Sequence, residues 1–146
     1  MKIDIKKLRD SAIIPTRGSD YAAGYDLYAC DDRECTIIPP HGVVKVPTGI
    51  AVAIPDGYFG AIFARSGLAT KHGLRPANCV GVIDSDYRGE VIVALRNDTD
   101  YDQGFSKGER IAQLVIMPYL SVEFNEVNEL DETARGAGGF GSTGTK

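Results

Sequence analysis

Asp84, Asp86 and Tyr87 stand together in Gly81–Val91, read as Gly-Val-Ile-Asp-Ser-Asp-Tyr-Arg-Gly-Glu-Val. A carboxylate beside an aromatic ring, held by a rigid hairpin, is what an enzyme handling a planar base and a water molecule needs. The plainer alternative is that Asp and Gly make a good turn there. Arg65-Ser66-Gly67-Leu68-Ala69 offers a planar guanidinium fork, a hydroxyl and the start of a short helix, which together suit an anion. An ordinary turn with Ser66 as N-cap is the competing account. Asp26 lies in an otherwise apolar and aromatic segment, Ala22–Ala29. A charge placed so needs a partner, either an arginine in a structural ion pair or the waters and phosphates of a metal site. Gln113 sits in the apolar run Ile111–Met117, where strict alternation gives it a face shared with Ile111 and Val115. Its amide therefore needs hydrogen-bond partners, from protein or from ligand.

The flanking pattern says which elements must hold these groups. Val80, Val82 and Ile83 lead into the central stretch and Val91–Leu95 lead out, predicting two strands and a tight connection. Thr48–Ile54, the turn Pro55-Asp56-Gly57 and Tyr58–Ala64 predict a second hairpin. Further short strands are predicted near Ile3–Leu8, Cys35–Ile38 and Val43–Val46. Strands are many, turns are rich in Gly, Pro and Asp, and no long segment has helical periodicity. The expectation is an all-β fold, a barrel or double-sheet sandwich.

After Leu130 the composition changes. Residues 131–146 carry Arg135, then glycines around a single Phe140, then Ser142 and Thr143, which cannot build a core. By composition this is a disordered tail. Yet successive glycine N–H groups can converge on an anion, and an arm folding over a bound nucleotide would use such parts. The expected division is a core over 1–130 and an arm over 131–146 that closes over an active site.

At 146 residues the chain fits one domain, with 43% hydrophobic and 25% charged residues, ordinary for a globular protein. A net charge of −4 argues against a general nucleic-acid binder and requires any anion to be held locally. No apolar run reaches membrane-span length, and Met1-Lys2-Ile3-Asp4 has no signal pattern. Cys30, Cys35 and Cys79 have no zinc-like spacing, so free thiols in a reducing, cytoplasmic compartment are expected. With only His41 and His72 available, a metal would be held by carboxylate, water and phosphate oxygens, which favours Mg2+.

Five segments in order, Ala-Gly-Tyr-Asp-Leu at 23–27, Arg-Ser-Gly-Leu-Ala at 65–69, the Gly81–Val91 stretch, Arg-Ile-Ala-Gln-Leu at 110–114 and Arg-Gly-Ala-Gly-Gly-Phe-Gly-Ser-Thr-Gly at 135–144, closely resemble the motifs of the trimeric dUTPases. Ala64 and Glu109 depart from residues common in that family, at positions with no assigned chemistry. The resemblance implies a jelly-roll-like distorted β-barrel of the dUTPase (β-clip) type. It implies a homotrimer with shared active sites that hydrolyses dUTP to dUMP and pyrophosphate with Mg2+, and neither nucleic acid nor membrane as partner. By the same resemblance Asp84 is the general base, and Tyr87 packs on the deoxyribose and leaves no room for a 2′-hydroxyl. Asn78 and the backbone near Gly81 read the uracil. Arg65, Ser66, Gly67 and Gln113 hold phosphate oxygens, and Asp26 orders the magnesium waters indirectly. Phe140 stacks on the uracil, while Arg135, Gly141, Ser142, Thr143 and Gly144 close the site. Two rivals stay open at this point: a dCTP deaminase of the same broad fold, and a catalytically idle nucleotide-binding trimer.

Overall fold

The computed structural model describes residues 1–139. Its strands are β1 (Asp4–Lys7), β2 (Thr16–Arg17), β3 (Tyr25–Tyr28), β4 (Cys35–Ile38), β5 (Val43–Pro47) and β6 (Ile50–Ala53). They continue with β7 (Tyr58–Phe63), β8 (Leu74–Pro76), β9 (Gly81–Ile83), β10 (Ile92–Asn97), β11 (Gln103–Ser106) and β12 (Arg110–Pro118). One short helix, α1 (Ser66–His72), follows β7. The all-β expectation holds.

Pairing is antiparallel throughout and produces four sheets: β1-β6, β5-β10-β8, β11-β4 and β2-β3-β12-β7-β9. No closed ladder runs around the molecule among the described residues. Alternation drives the packing. In β4 Thr36 and Ile38 point inward, and in β10 Val93, Leu95 and Asn97 do. Leu27, Ile38, Val46, Ile50, Ile62, Leu74, Leu95 and Ile111, drawn from all four sheets, meet in one buried cluster. A single core therefore joins the sheets.

Three sequence expectations are corrected by this topology. The turn at Pro55–Tyr58 forms, with the Tyr58 N–H donating to the Pro55 carbonyl at 3.2 Å. The strands it joins nevertheless part company: β6 pairs with β1, and β7 pairs with β12 and β9. The central stretch is likewise no paired hairpin, because β9 lies on β7 while β10 lies between β5 and β8. Alternation specifies which face of a strand is buried, not which strand it joins. Third, the register of β12 against β3 shifts between Arg110 and Ala112. This irregularity places Ile111 in the core beside Ala112, so Gln113 does not share its face as strict alternation required.

Two buried polar groups fix the loops. Asn97 is fully buried, its amide donating to the carbonyls of Ile38 and Tyr101 at 3.0 and 2.7 Å while its oxygen accepts from the Thr99 N–H at 2.9 Å. Asp31 accepts from the Arg33 guanidinium at 2.6 Å and from the Thr36 hydroxyl at 3.2 Å. The hydrogen bonds from the Arg33 side chain hold the Asp31 carboxyl well below its ordinary value of 3.8. A depressed native pKa contributes stability that is present above the unfolded value and lost as pH falls through the native one. The stability gap between wild type and Asp31→Asn is therefore expected to be widest above about pH 5 and to narrow toward pH 2. Urea melts across that range would show it; a gap independent of pH would remove Asp31 from this role.

All three cysteines are free, Cys30 buried and Cys35 and Cys79 exposed. No helix among the described residues is long and apolar enough to cross a membrane.

Candidate active site

The strand β7 carries both halves of the candidate site. Along one edge β9 pairs with it, Gly81 opposite Ile62 and Ile83 opposite Gly60. Between β9, the 84–91 loop and β10 opens a cavity of about 230 Å³, whose lining includes Ile62, Asn78, Gly81, Asp84, Tyr87 and Glu90. Four residues singled out in the sequence thus share one cavity. Its volume lies below the roughly 300–1,000 Å³ of pockets for drug-sized ligands, so it suits one small ring system rather than a whole triphosphate.

The loop is tightly held for an exposed one. The Tyr87 N–H donates to the Asp84 carbonyl at 3.2 Å, and the Tyr87 hydroxyl donates to the Glu90 carbonyl at 3.0 Å. Gly89 lies under the Tyr87 ring, where any Cβ would collide with the phenol. Asp84 itself is exposed.

On the other edge of β7, β12 brings Gln113 opposite Phe63 and, across β3, opposite Asp26. Gln113 Nε2 donates to the Ala64 carbonyl at 2.9 Å. A side chain at Gly24 would strike the Gln113 amide, so the small residue there is what lets the amide sit as it does. Arg65 Nε donates to Asp26 Oδ1 at 2.8 Å, and Arg110 Nη1 reaches Asp26 Oδ2 at 3.3 Å. The Asp26 side chain is only 13% exposed, so its charge needs this pair of guanidiniums. Of the two accounts of Asp26, the ion pair is therefore present. A metal-water role remains compatible, because a carboxylate has about four acceptor positions.

Arg65 is the N-cap of α1 with extended backbone and no side-chain cap, and Ser66 is its first helical residue, so Ser66 is not the N-cap. Arg135 is exposed and donates to the Gly138 carbonyl at 2.9 Å. Phe140, Gly141, Ser142, Thr143 and Gly144 lie outside the described residues.

Two residues missed by the sequence reading touch those it named. Arg110 shares Asp26 with Arg65, and Glu90 lines the cavity. Each lay inside a quoted motif, yet a contact spanning 84 residues, such as Arg110 to Asp26, leaves no local signal.

The described residues thus form an all-β scaffold with a small cavity lined by an acid and a phenol, and with a separate cluster of two guanidiniums on one carboxylate. The dUTPase family model matches residues 10–144, and the chain belongs to that family. A deoxyuridine 5′-triphosphate nucleotidohydrolase of Syntrophotalea carbinolica is 50% identical over 142 residues, covering 97% of this chain and 96% of the relative. One from a Hydrogenobaculum species is 49% identical over 146 residues, covering 100% of both. Among solved structures, the G164S mutant of the Staphylococcus bacteriophage 80alpha dUTPase with dUpNHpp superposes with a TM-score of 0.88 at 31% identity, over 98% of each chain.

Proposed function

We propose that this protein hydrolyses dUTP to dUMP and pyrophosphate, by water attack on the α-phosphorus in line with the departing pyrophosphate. Such a reaction limits uracil incorporation into DNA and supplies dUMP for thymidylate synthesis. The observation that carries the reading is the gathering of Asn78, Gly81, Asp84 and Tyr87 around one cavity in a chain of this family. Asn78 and the Gly81 backbone read the uracil edge, and Tyr87 packs on the deoxyribose. Asp84 takes the proton of the attacking water. Arg65, Ser66, Gly67 and Gln113 hold phosphate oxygens, where fixed donors stabilise the charge that develops. Residues 1–130 form the core and 131–146 an arm, in which Phe140 stacks on the base and Arg135, Gly141, Ser142, Thr143 and Gly144 close on the phosphates. The dCTP deaminase and idle-binder readings are not favoured by the family assignment.

The residues fit Mg2+ held mainly by the substrate. No group of three or more His, Cys, Asp or Glu is built for a metal among the described residues. Mg2+ characteristically keeps several waters and binds through substrate phosphates. Asp26 retains acceptor positions for one such water, and the ion would neutralise phosphate charge when bound.

A homotrimer with shared sites is supported by two features. Ile83 pairs with Gly60, whereas Arg65 lies five residues further along the chain from Gly60. At about 3.3 Å per residue this puts Ile83 roughly 16 Å from Arg65 along the line of β7, with Asp84 one residue further away still. Adjacent phosphates of one nucleotide are far closer than that, which favours a partner copy supplying one of the two. In addition Leu120, Val122 and Phe124 alternate along a segment outside any strand, with Phe124 94% exposed. Apolar residues left in that state call for a covering surface.

The test is a panel of dUTP, UTP, dTTP and dCTP incubated with protein and Mg2+ and followed by phosphorus NMR, with the assembly mass read by sedimentation. Pyrophosphate from dUTP alone, loss of rate with chelator and a three-chain mass are expected. Release of single phosphate from many nucleotides, or ammonia from dCTP, would overturn the reaction; a one-chain mass would overturn the assembly.

A further inference from the structure

The loop that bears Asp84 and Tyr87 is fastened to the core by a residue that has no part in the reaction as described. Glu90 Oε1 accepts the Gly49 N–H at 2.8 Å, and Glu90 Oε2 lies 3.5 Å from Arg9 Nη2. Arg9 is itself anchored, Nη1 donating to the Cys30 carbonyl at 2.7 Å. The main-chain carbonyl of the same Glu90 accepts the Tyr87 hydroxyl. Next along the chain, the Val91 N–H donates to the Ile50 carbonyl and the Val91 carbonyl accepts from the Thr48 N–H. One residue therefore grips the core with its side chain and the phenol with its backbone.

We propose that Glu90 is a positioning residue for sugar discrimination: it fixes the Tyr87 ring against the sugar subsite by tying the return of the loop to Gly49 and Arg9. The proposal rests on the dUTP-hydrolase reading given above. Tyr87 can exclude a 2′-hydroxyl only if its ring cannot retreat. With Gly89 beneath the ring and the Glu90 carbonyl holding its hydroxyl, retreat requires the 89–90 backbone to move. That backbone is held by the Glu90 carboxylate. The side chain is 20% exposed, so the bond to the Gly49 N–H is sheltered, whereas the contact with the 37% exposed Arg9 is longer and more screened. The hydrogen bond to Gly49 is thus the stronger tether.

The experiment compares kcat/KM for dUTP and for UTP in wild type, Glu90→Ala, Glu90→Gln, Glu90→Asp and Tyr87→Phe. In Glu90→Ala the dUTP-over-UTP ratio is expected to fall about tenfold or more, the scale on which small changes of pocket fit act. Glu90→Gln, whose amide oxygen still accepts from Gly49, is expected to stay within about threefold of wild type. Tyr87→Phe should lower the ratio too, and its effect combined with Glu90→Ala should fall short of the sum of the two in free energy, because both release one contact chain. A purely structural Glu90 would lower both substrates together; an unchanged ratio in Glu90→Ala overturns the proposal. Should Glu90→Ala fail to fold, Glu90→Asp, one methylene short of Gly49, reads the same ratio with the same consequence. A wild type that leaves dUTP intact strikes the functional reading itself, which the wild-type arm reveals before any variant is compared.

Discussion

Asp84→Asn is expected to bind dUTP as wild type does and to turn it over about 10²–10⁴ times more slowly, the usual contribution of a positioned general base. The loss corresponds to roughly 3–5 kcal/mol of barrier. Asn matches Asp in size and can still hydrogen-bond a water, but it cannot take the proton. Asp84 follows directly from β9 and lines the cavity with Asn78 and Tyr87, so the substitution leaves the walls in place. It is also exposed, which keeps the cost to folding small. Calorimetry with dUTP and quenched turnover on the same preparation separate binding from chemistry. Turnover near that of wild type would take Asp84 out of the role, and lost binding would make it a ligand contact instead.

Truncation before Arg135 is expected to leave the fold intact while activity collapses. The last strand among the described residues ends at Pro118, and the bond from Arg135 to the Gly138 carbonyl is local to the removed segment. Among the described residues no buried residue of the core lies beyond Leu114, so the melting temperature should barely move. The proposed arm carries the only aromatic residue after Phe124. Lost base stacking alone, at about 1–3 kcal/mol, should lower kcat/KM roughly five- to 150-fold, with the loss of phosphate contacts in addition. A truncated enzyme of full activity would return residues 135–146 to the status of a passive tail; one that unfolds would make them part of the core.

The need of the candidate polar residues for partners was legible from type and neighbours. An acid within an apolar strand, Asp26, had to find a cation and found two. Gln113 had to find a partner, and the Ala64 carbonyl is that partner. Arg65 before Ser-Gly-Leu-Ala does open a helix. Strand partners were less legible, because Tyr58–Phe63 looks equally ready to pair with Ile50–Ala53 or with a strand fifty residues away. Local alternation is satisfied either way, and the choice is made by the shared core. The irregularity at Arg110–Ala112 was invisible for a related reason, since it is a property of two strands in register. Glu90 was read past because its neighbours explain nothing about it; Gly49, which does, lies 41 residues earlier.

The position of β7 between β9 and β12 has a genetic consequence. On the proposed arrangement the cavity on one edge and the guanidinium cluster at its far end serve different catalytic centres of the assembly. A lesion in Tyr58–Phe63 would then be inherited by two centres at once, and a defective copy mixed into a population of sound ones would spoil sites that its own residues only border.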